Sequence, residues 1–319
     1  MSLQVKNLTK KYGENTVVDK LSFNMGEPGV YALLGRNGAG KTTTIRIILG
    51  MLAHDGGEVL WNDKFLDPLT ANVGYLAEER GLYPKYTLMD QMIYFAKLKK
   101  ISDTEAKKRI KYWAEKLEVE EYLYPTTSAT KAKSVKAKNG KPIKSRTADQ
   151  LSKGNQQKIQ LMASLISDPE LIILDEPLSG LDPVNSDLFK KIIRECIAKE
   201  KYIIMSSHQM PTIEEFCSDI TILNRGQAIV QGNLNEIKKG YGRVNMFVKS
   251  DQDIKPYIEE MNLNVLEETP AGYHIKVNGE EQATKFLTRL VEAKINVVKF
   301  ELREPSLHEI FVEKVGANE

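Results

Sequence analysis

The segment GRNGAGKTTT (35–44) puts Gly35, Gly40, Lys41 and Thr42 at every fixed position of the pattern G-x-x-x-x-G-K-[ST]. Glycines at those places free backbone N–H groups to wrap a polyphosphate. Lys41 is spaced to reach the β- and γ-phosphates, and the Thr42 hydroxyl can ligate Mg²⁺. Asn37, Gly38, Ala39 and Thr43 complete the nucleotide-binding loop. Two carboxylates end the apolar run LIILDEP (171–177). Asp175 can hold Mg²⁺ through water, and Glu176, one residue on, can orient or deprotonate an attacking water. His208 closes a third apolar run, IIMSSH (203–208), as a candidate γ-phosphate sensor. A second hydroxyl-bearing, glycine-containing loop, LSKGNQQ (151–157), precedes an amphipathic segment. Helix N-termini bind phosphate, so the chain owns two phosphate-binding elements.

These groups need strands to carry them. YALLG (31–35) reads as a buried strand feeding the glycine loop, and Ile45, Ile48 and Leu49 give the following helix an apolar face toward a sheet. Strand, loop and helix in that order separate a nucleotide site from an incidental glycine turn. The runs ending in Asp175 and His208 read as further buried strands, whose ends lie where α/β sheets bind ligands.

The totals exclude several classes. The chain has 319 residues, enough for about two domains. Lys+Arg number 45 against Asp+Glu 43, so no global field points to nucleic acid. No apolar run approaches the roughly 18–20 residues of a membrane helix. The opening MSLQVKNLTKKYG lacks a secretory core. Cys196 and Cys217 are too few for a disulfide framework or metal site, and read as buried small hydrophobes in a soluble, cytosolic protein.

Together the elements resemble the ATP-binding subunits of ABC transporters. LSKGNQQ resembles that family's signature loop, SGLD (179–182) the loop after its acidic strand, and SSHQM (206–210) its histidine switch. The resemblance implies that Ser152 and Gly154 cover a γ-phosphate held by a second copy of the chain, with Asp182 at the subunit boundary. It also implies that Tyr12 in KKYG stacks on adenine, and that Glu78 in GYLAEER occupies the Q-loop position. There the family's Gln is replaced by a carboxylate, a hard ligand suited to Mg²⁺. Lys153 replaces one of the signature's two Gly residues and Asn155 its Gln, while Gly154 is kept. The implied cofactors are ATP and Mg²⁺. The implied partners are a second copy of the chain and an integral membrane permease on a separate chain, with no nucleic acid. The implied location is peripheral, on the cytoplasmic face of the cell membrane. The motif set is most similar to bacterial exporter ATPases of the multidrug and sodium-extrusion types.

The expected fold is α/β: a P-loop ABC ATPase domain over 1–238 containing a helical subdomain at about 81–165. ISDTEAKKRIKYWAEKL carries a capping box, Ser102 with Glu105, and apolar Ala106, Ile110, Trp113 and Leu117 at helical spacing. Residues 126–148 hold seven Lys or Arg and no Asp or Glu, and read as a solvated, mobile basic insertion; the sharper alternative is a flap against anionic headgroups. From 243 to 303 the pattern β-α-β-β-α-β predicts a small ferredoxin-like domain. Residues 304–319 form a final helix and tail, capped by Ser306 with Glu309.

The leading expectation is therefore an ATP hydrolase that powers an exporter through ATP-driven dimer closure. An ABC ATPase without a membrane partner, acting on ribosomes or nucleic acid, is the alternative; a single phosphate loop and the lack of sustained heptads count against it. An inactive regulatory module is a third, opposed by Lys41, Asp175, Glu176 and His208.

Overall fold

The computed structural model describes residues 1–67, 70–79, 81–124 and 145–316. Strands β1 (Leu3–Tyr12) and β2 (Asn15–Met25) form an antiparallel hairpin, followed by β3 (Gly29–Leu34) and helix α1 (Lys41–Ile48). Then come β4 (Gly56–Trp61), β5 (Lys64–Phe65) and β6 (Val73–Leu76). A helical stretch holds α2 (Leu88–Leu98), α3 (Asp103–Lys116), α4 (Glu120–Leu123) and α5 (Lys153–Leu165). The chain continues through β7 (Leu171–Asp175), α6 (Pro183–Ala198), β8 (Tyr202–Ser207), α7 (Met210–Ile213), β9 (Asp219–Asn224) and β10 (Gln227–Asn233).

Two sheets share one core here. The first runs β2-β1-β4-β5 and the second β10-β9-β3-β8-β7-β6. In the second, β3 pairs with β8, β8 with β7 and β7 with β6, all in parallel. Such strands are buried on both faces, which explains the uninterrupted apolar runs Leu171–Leu174 and Tyr202–Met205. Leu3, Val5 and Leu8 of β1 pack in one cluster with Ile45 and Ile48 of α1 and Ile173 and Ile204 of the parallel sheet. The expected apolar stripe of α3 is buried throughout at Ala106, Ile110, Trp113 and Leu117. Its capping box is half made: the Ser102 hydroxyl accepts from Glu105 N, while the Glu105 carboxylate turns to Arg109, 2.8 Å away.

The chain divides into two compact units, Met1–His208 with Ile220–Ile229, and Gln209–Asp219 with Val230–Glu319. The second unit contains α8 (Leu234–Tyr241), β11 (Asn245–Ser250), α9 (Lys255–Glu260), β12 (Asn264–Thr269), β13 (Gly272–Lys276), α10 (Glu280–Glu292), β14 (Val297–Arg303) and α11 (Leu307–Gly316). Its sheet order, β12-β13-β11-β14, gives the β-α-β-β-α-β segment a ferredoxin-like arrangement. Met246, Val248 and Ile275 on one face pack with Ile258 of α9 and with Phe286 and Leu290 of α10. The predicted cap of the last helix forms: Ser306 and Glu309 bond reciprocally, backbone N–H to side chain. The proposed basic insertion, 126–148, falls outside the described residues over 126–144. Its last four residues, 145–148, are built into the first unit, where Leu88 N donates to Arg146 O and the Arg146 guanidinium lies over the Tyr122 ring.

Candidate active site

The glycine loop spans the gap between β3 and α1. Gly40, which precedes the first turn of α1, has φ 106°, and a Cβ there would stand 2.7 Å from the Val17 carbonyl oxygen. At Gly35 a Cβ would meet the Leu223 carbonyl at 2.4 Å. Only glycine lets the loop close this tightly against its neighbours. The result is a depression of about 230 Å³ lined by Val17, residues 37–43, Glu78 and Glu176. The first N–H groups of α1 have no partners within the helix, so the loop offers donors and a positive dipole end to an anion.

The Lys41 ammonium donates to Gly35 O at 2.8 Å and stands 3.3 Å from Glu176 Oε1. Both side chains are only 6% exposed, so this is a buried ion pair. Glu176 follows β7 in the left-handed region, φ 48°, a conformation that costs energy for a residue with a side chain. It is held there from two sides. Its N–H donates to Ser206 Oγ at 2.9 Å, and its second carboxylate oxygen lies 2.9 Å from His208 Nδ1. A carboxylate in contact with both a phosphate-loop lysine and an imidazole can accept a proton or fix a water.

Asp175, at the end of β7, is 1% exposed. Its Oδ1 accepts from Ser206 Oγ at 2.5 Å and from Thr42 Oγ1 at 3.3 Å. Its Oδ2 is buried and has no hydrogen-bond partner. Burial raises the Asp175 carboxyl above its ordinary value, with the Ser206 and Thr42 hydrogen bonds opposing. A buried, unpartnered carboxylate oxygen is costly unless a ligand satisfies it. The donor set here, a hydroxyl and a carboxylate, is oxygen only and small. No cluster of three or more acidic, His or Cys ligands occurs among the described residues. That combination fits Mg²⁺, which takes one or two protein oxygens and completes its shell with phosphate and water.

The structure thus brings Lys41, Thr42, Glu78 and Glu176 around one depression, with Asp175 and His208 bonded to Thr42 and Glu176 behind it. Two groups of expected residues lie elsewhere in the chain. Ser152 caps α5 by accepting from Asn155 N at 3.3 Å, and a Cβ on Gly154 would stand 3.0 Å from Asn185 Nδ2 of α6. Asp182 caps α6, accepting from Asn185 N at 2.9 Å. Tyr12 ends β1 with 54% of its surface exposed and is not among the residues lining the depression. Lys153 is exposed, and the Asn155 amide donates to Tyr122 Oη. Sequence reasoning passed over Ser206. Its signal was a hydroxyl at the end of an otherwise apolar buried strand. It also passed over Val17, whose contribution is a backbone carbonyl that no side chain announces.

The chain belongs to the ABC transporter family, whose profile matches residues 18–179. Residues 232–315 match the C-terminal domain of DrrA1-3-like ATP-binding proteins. It is 39% identical over 316 residues to YhaQ of Bacillus subtilis (strain 168), an uncharacterised ABC transporter ATP-binding protein, covering 99% of each chain. It is 28% identical over 322 residues to the bacitracin transport ATP-binding protein BcrA of Bacillus licheniformis, covering 98% of this chain and 97% of BcrA. A solved ATP-binding subunit of an ABC transporter superposes with a TM-score of 0.64 at 27% identity, over 76% of this chain and 93% of that one. The protein is an ATP-binding subunit, and its reaction is ATP hydrolysis coupled to transport. No helix among the described residues is long and apolar enough to cross a membrane.

Proposed function

We propose that two copies of this chain close on two ATP molecules and drive an integral membrane permease carried on a separate chain, as an exporter working from the cytoplasmic face of the membrane. The observation that carries this reading is the buried contact of Glu176 with Lys41, backed by His208. A polyphosphate entering the loop competes for the Lys41 ammonium and frees the carboxylate for a water at the γ-phosphate.

The proposed division of labour assigns a part to each of these groups. The backbone of Gly35, Asn37, Gly38, Ala39 and Gly40, with Thr43, wraps the phosphates, and Lys41 neutralises their terminal charge. Mg²⁺ held by Thr42 and Asp175, with Glu78 beside them, would supply charge neutralisation between the β- and γ-phosphates. Glu176 fixes and deprotonates the attacking water, and His208 orients Glu176 and senses the γ-phosphate. Tyr12 stacks on the adenine. Ser152 and Gly154, at the N-terminus of α5, complete the site of the second copy. Export as the direction is supported by kinship with a protein named for Nod factor export, 30% identical over 239 residues. The domain division follows the same reading, with the ATPase portion over 1–238 and the appended small domain after it.

Replacing Glu176 with Gln tests the centre of this proposal. The variant should bind MgATP, lose most of its turnover and accumulate an ATP-bound dimer on size-exclusion chromatography. Wild-type turnover in Glu176→Gln would remove Glu176 from the role.

A further inference from the structure

We infer that Lys10, pinned by Asp55, is the positioning residue for the base-stacking ring of Tyr12. The inference rests on the proposed role of Tyr12 and names what sets that ring's place.

Lys10 and Tyr12 of β1 stand side by side across a register irregularity at Lys10/Lys11. They differ sharply in burial. Lys10 is 9% exposed, one of few charged side chains this deep, whereas Tyr12 is 54% exposed. The Lys10 ammonium lies over the Tyr12 ring, 5.3 Å from its centroid, within cation–π range. The other partner of Lys10 is Asp55 Oδ2 at 3.5 Å.

Asp55 is itself fixed to β1. Its Oδ2 accepts from Lys11 N at 2.6 Å, and its own N–H donates to Thr9 O at 2.8 Å. The Lys11 N–H, first, and the nearby lysines hold its carboxyl below the usual range. The carboxylate, the ammonium and the ring therefore form a chain of two charges and one aromatic face at the end of β1. A cation on one face of an aromatic ring leaves the opposite face for a flat partner, and the salt bridge keeps that cation from swinging away. An exposed tyrosine without such a brace would lose rotamer freedom on binding, at a cost to affinity. The hairpin places the exposed ring a short way along the strands from the phosphate depression. Tyr12 pairs with Asn15 across the turn, and Val17, two residues along β2, lines the phosphate depression. The ligand this element recognises is a nucleobase attached to the phosphates, and its π-face makes the contact tolerant of base identity.

The test compares MgADP with inorganic pyrophosphate by calorimetry on the full chain, since only the first carries a base. Tyr12→Ala should weaken ADP by tenfold or more and leave pyrophosphate unchanged. Lys10→Met should weaken ADP about two- to fivefold, the range of an exposed cation–π contact, again without effect on pyrophosphate. Lys10→Arg should restore the affinity, and Asp55→Asn should fall between wild type and Lys10→Met. Equal losses for ADP and pyrophosphate in Lys10→Met would mean a purely structural lysine and overturn the inference. So would unchanged ADP affinity in Lys10→Met while Tyr12→Ala fails to bind ADP well. Unchanged ADP affinity in Tyr12→Ala would instead overturn the base-stacking role itself, and the inference with it.

Discussion

Ser206 has no chemistry of its own in the proposed reaction, yet two reacting groups lean on it. Its hydroxyl accepts from the Glu176 N–H and donates to Asp175 Oδ1, and the residue is fully buried. Its backbone sits opposite Asp175 in the parallel register of β7 and β8, so the contact follows from strand pairing. Ser206→Ala leaves a buried N–H without a partner, next to a residue already in the left-handed region. We expect a loss of about 1–3 kcal/mol in chemical denaturation and a fall in turnover larger than the fall in ATP affinity. Unchanged stability would mean that the N–H finds another acceptor. The hydroxyl's importance was poorly legible in the sequence. The glycines, Lys41 and the DE pair stand within short windows with fixed spacing. Ser206 acts across 31 residues of chain, through a pairing that only the sheet establishes.

At the scale of elements, α3 docks on α6 through one carboxylate. Glu195 of α6 meets Lys199 Nζ at 2.8 Å and Lys116 Nζ at 3.2 Å, and accepts from the Tyr112 hydroxyl. Lys199 also lies over the rings of Tyr112 and Trp113. Burial pushes the Glu195 carboxyl up, but Lys199, Tyr112 and Lys116 together bring it down to about 2. The folded value is below the ordinary 4.5, so the stabilisation is full above about pH 4.5 and is lost as pH falls toward 2. Allowing for partial exposure and screening, Glu195→Gln should cost about 1–2 kcal/mol near neutral pH. The gap between variant and wild type in urea midpoint should shrink to about half near pH 3. A gap independent of pH would assign the effect to packing instead. The helices themselves were readable. Ala106, Ile110, Trp113 and Leu117 repeat at helical spacing and are all buried. Their docking partner was not, because nothing in the sequence near Tyr112 indicates a glutamate 83 residues away. The β-α-β-β-α-β order of the second unit was legible from period and turns. The inclusion of Gln209–Asp219 in that unit was not, since it depends on contacts such as Lys238 with Glu214 at 3.2 Å.

At the scale of the whole molecule, the sequence contains a second candidate phosphate element that the single chain does not use for its depression. Ser152 and Gly154 open α5, yet neither lines the cradle of residues 37–43. A helix N-terminus of this kind, with a serine cap and a glycine in the first turn, suits the phosphate of another copy. Gly154→Asp separates that use from folding. An acidic side chain in the first turn favours the helix, and at this position its Cβ presses on the Asn185 amide at 3.0 Å, with Leu181 Cδ2 in ordinary contact at 3.8 Å. The variant should fold normally while its carboxylate repels the partner's γ-phosphate. Lys41→Ala removes the cation of the cradle in the other chain. Each variant alone should lack a competent two-chain site and fail to dimerise on ATP. Mixed, they should assemble some heterodimers in which the unmutated cradle of one chain faces the unmutated Ser152–Gly154 turn of the other, and ATP-dependent dimerisation should partly return. Binding of labelled ATP to the mixture, against each variant alone, reads this directly. If Gly154→Asp instead weakens ATP in its own monomer, with no recovery on mixing, the second phosphate element acts within one chain and the two-copy site falls.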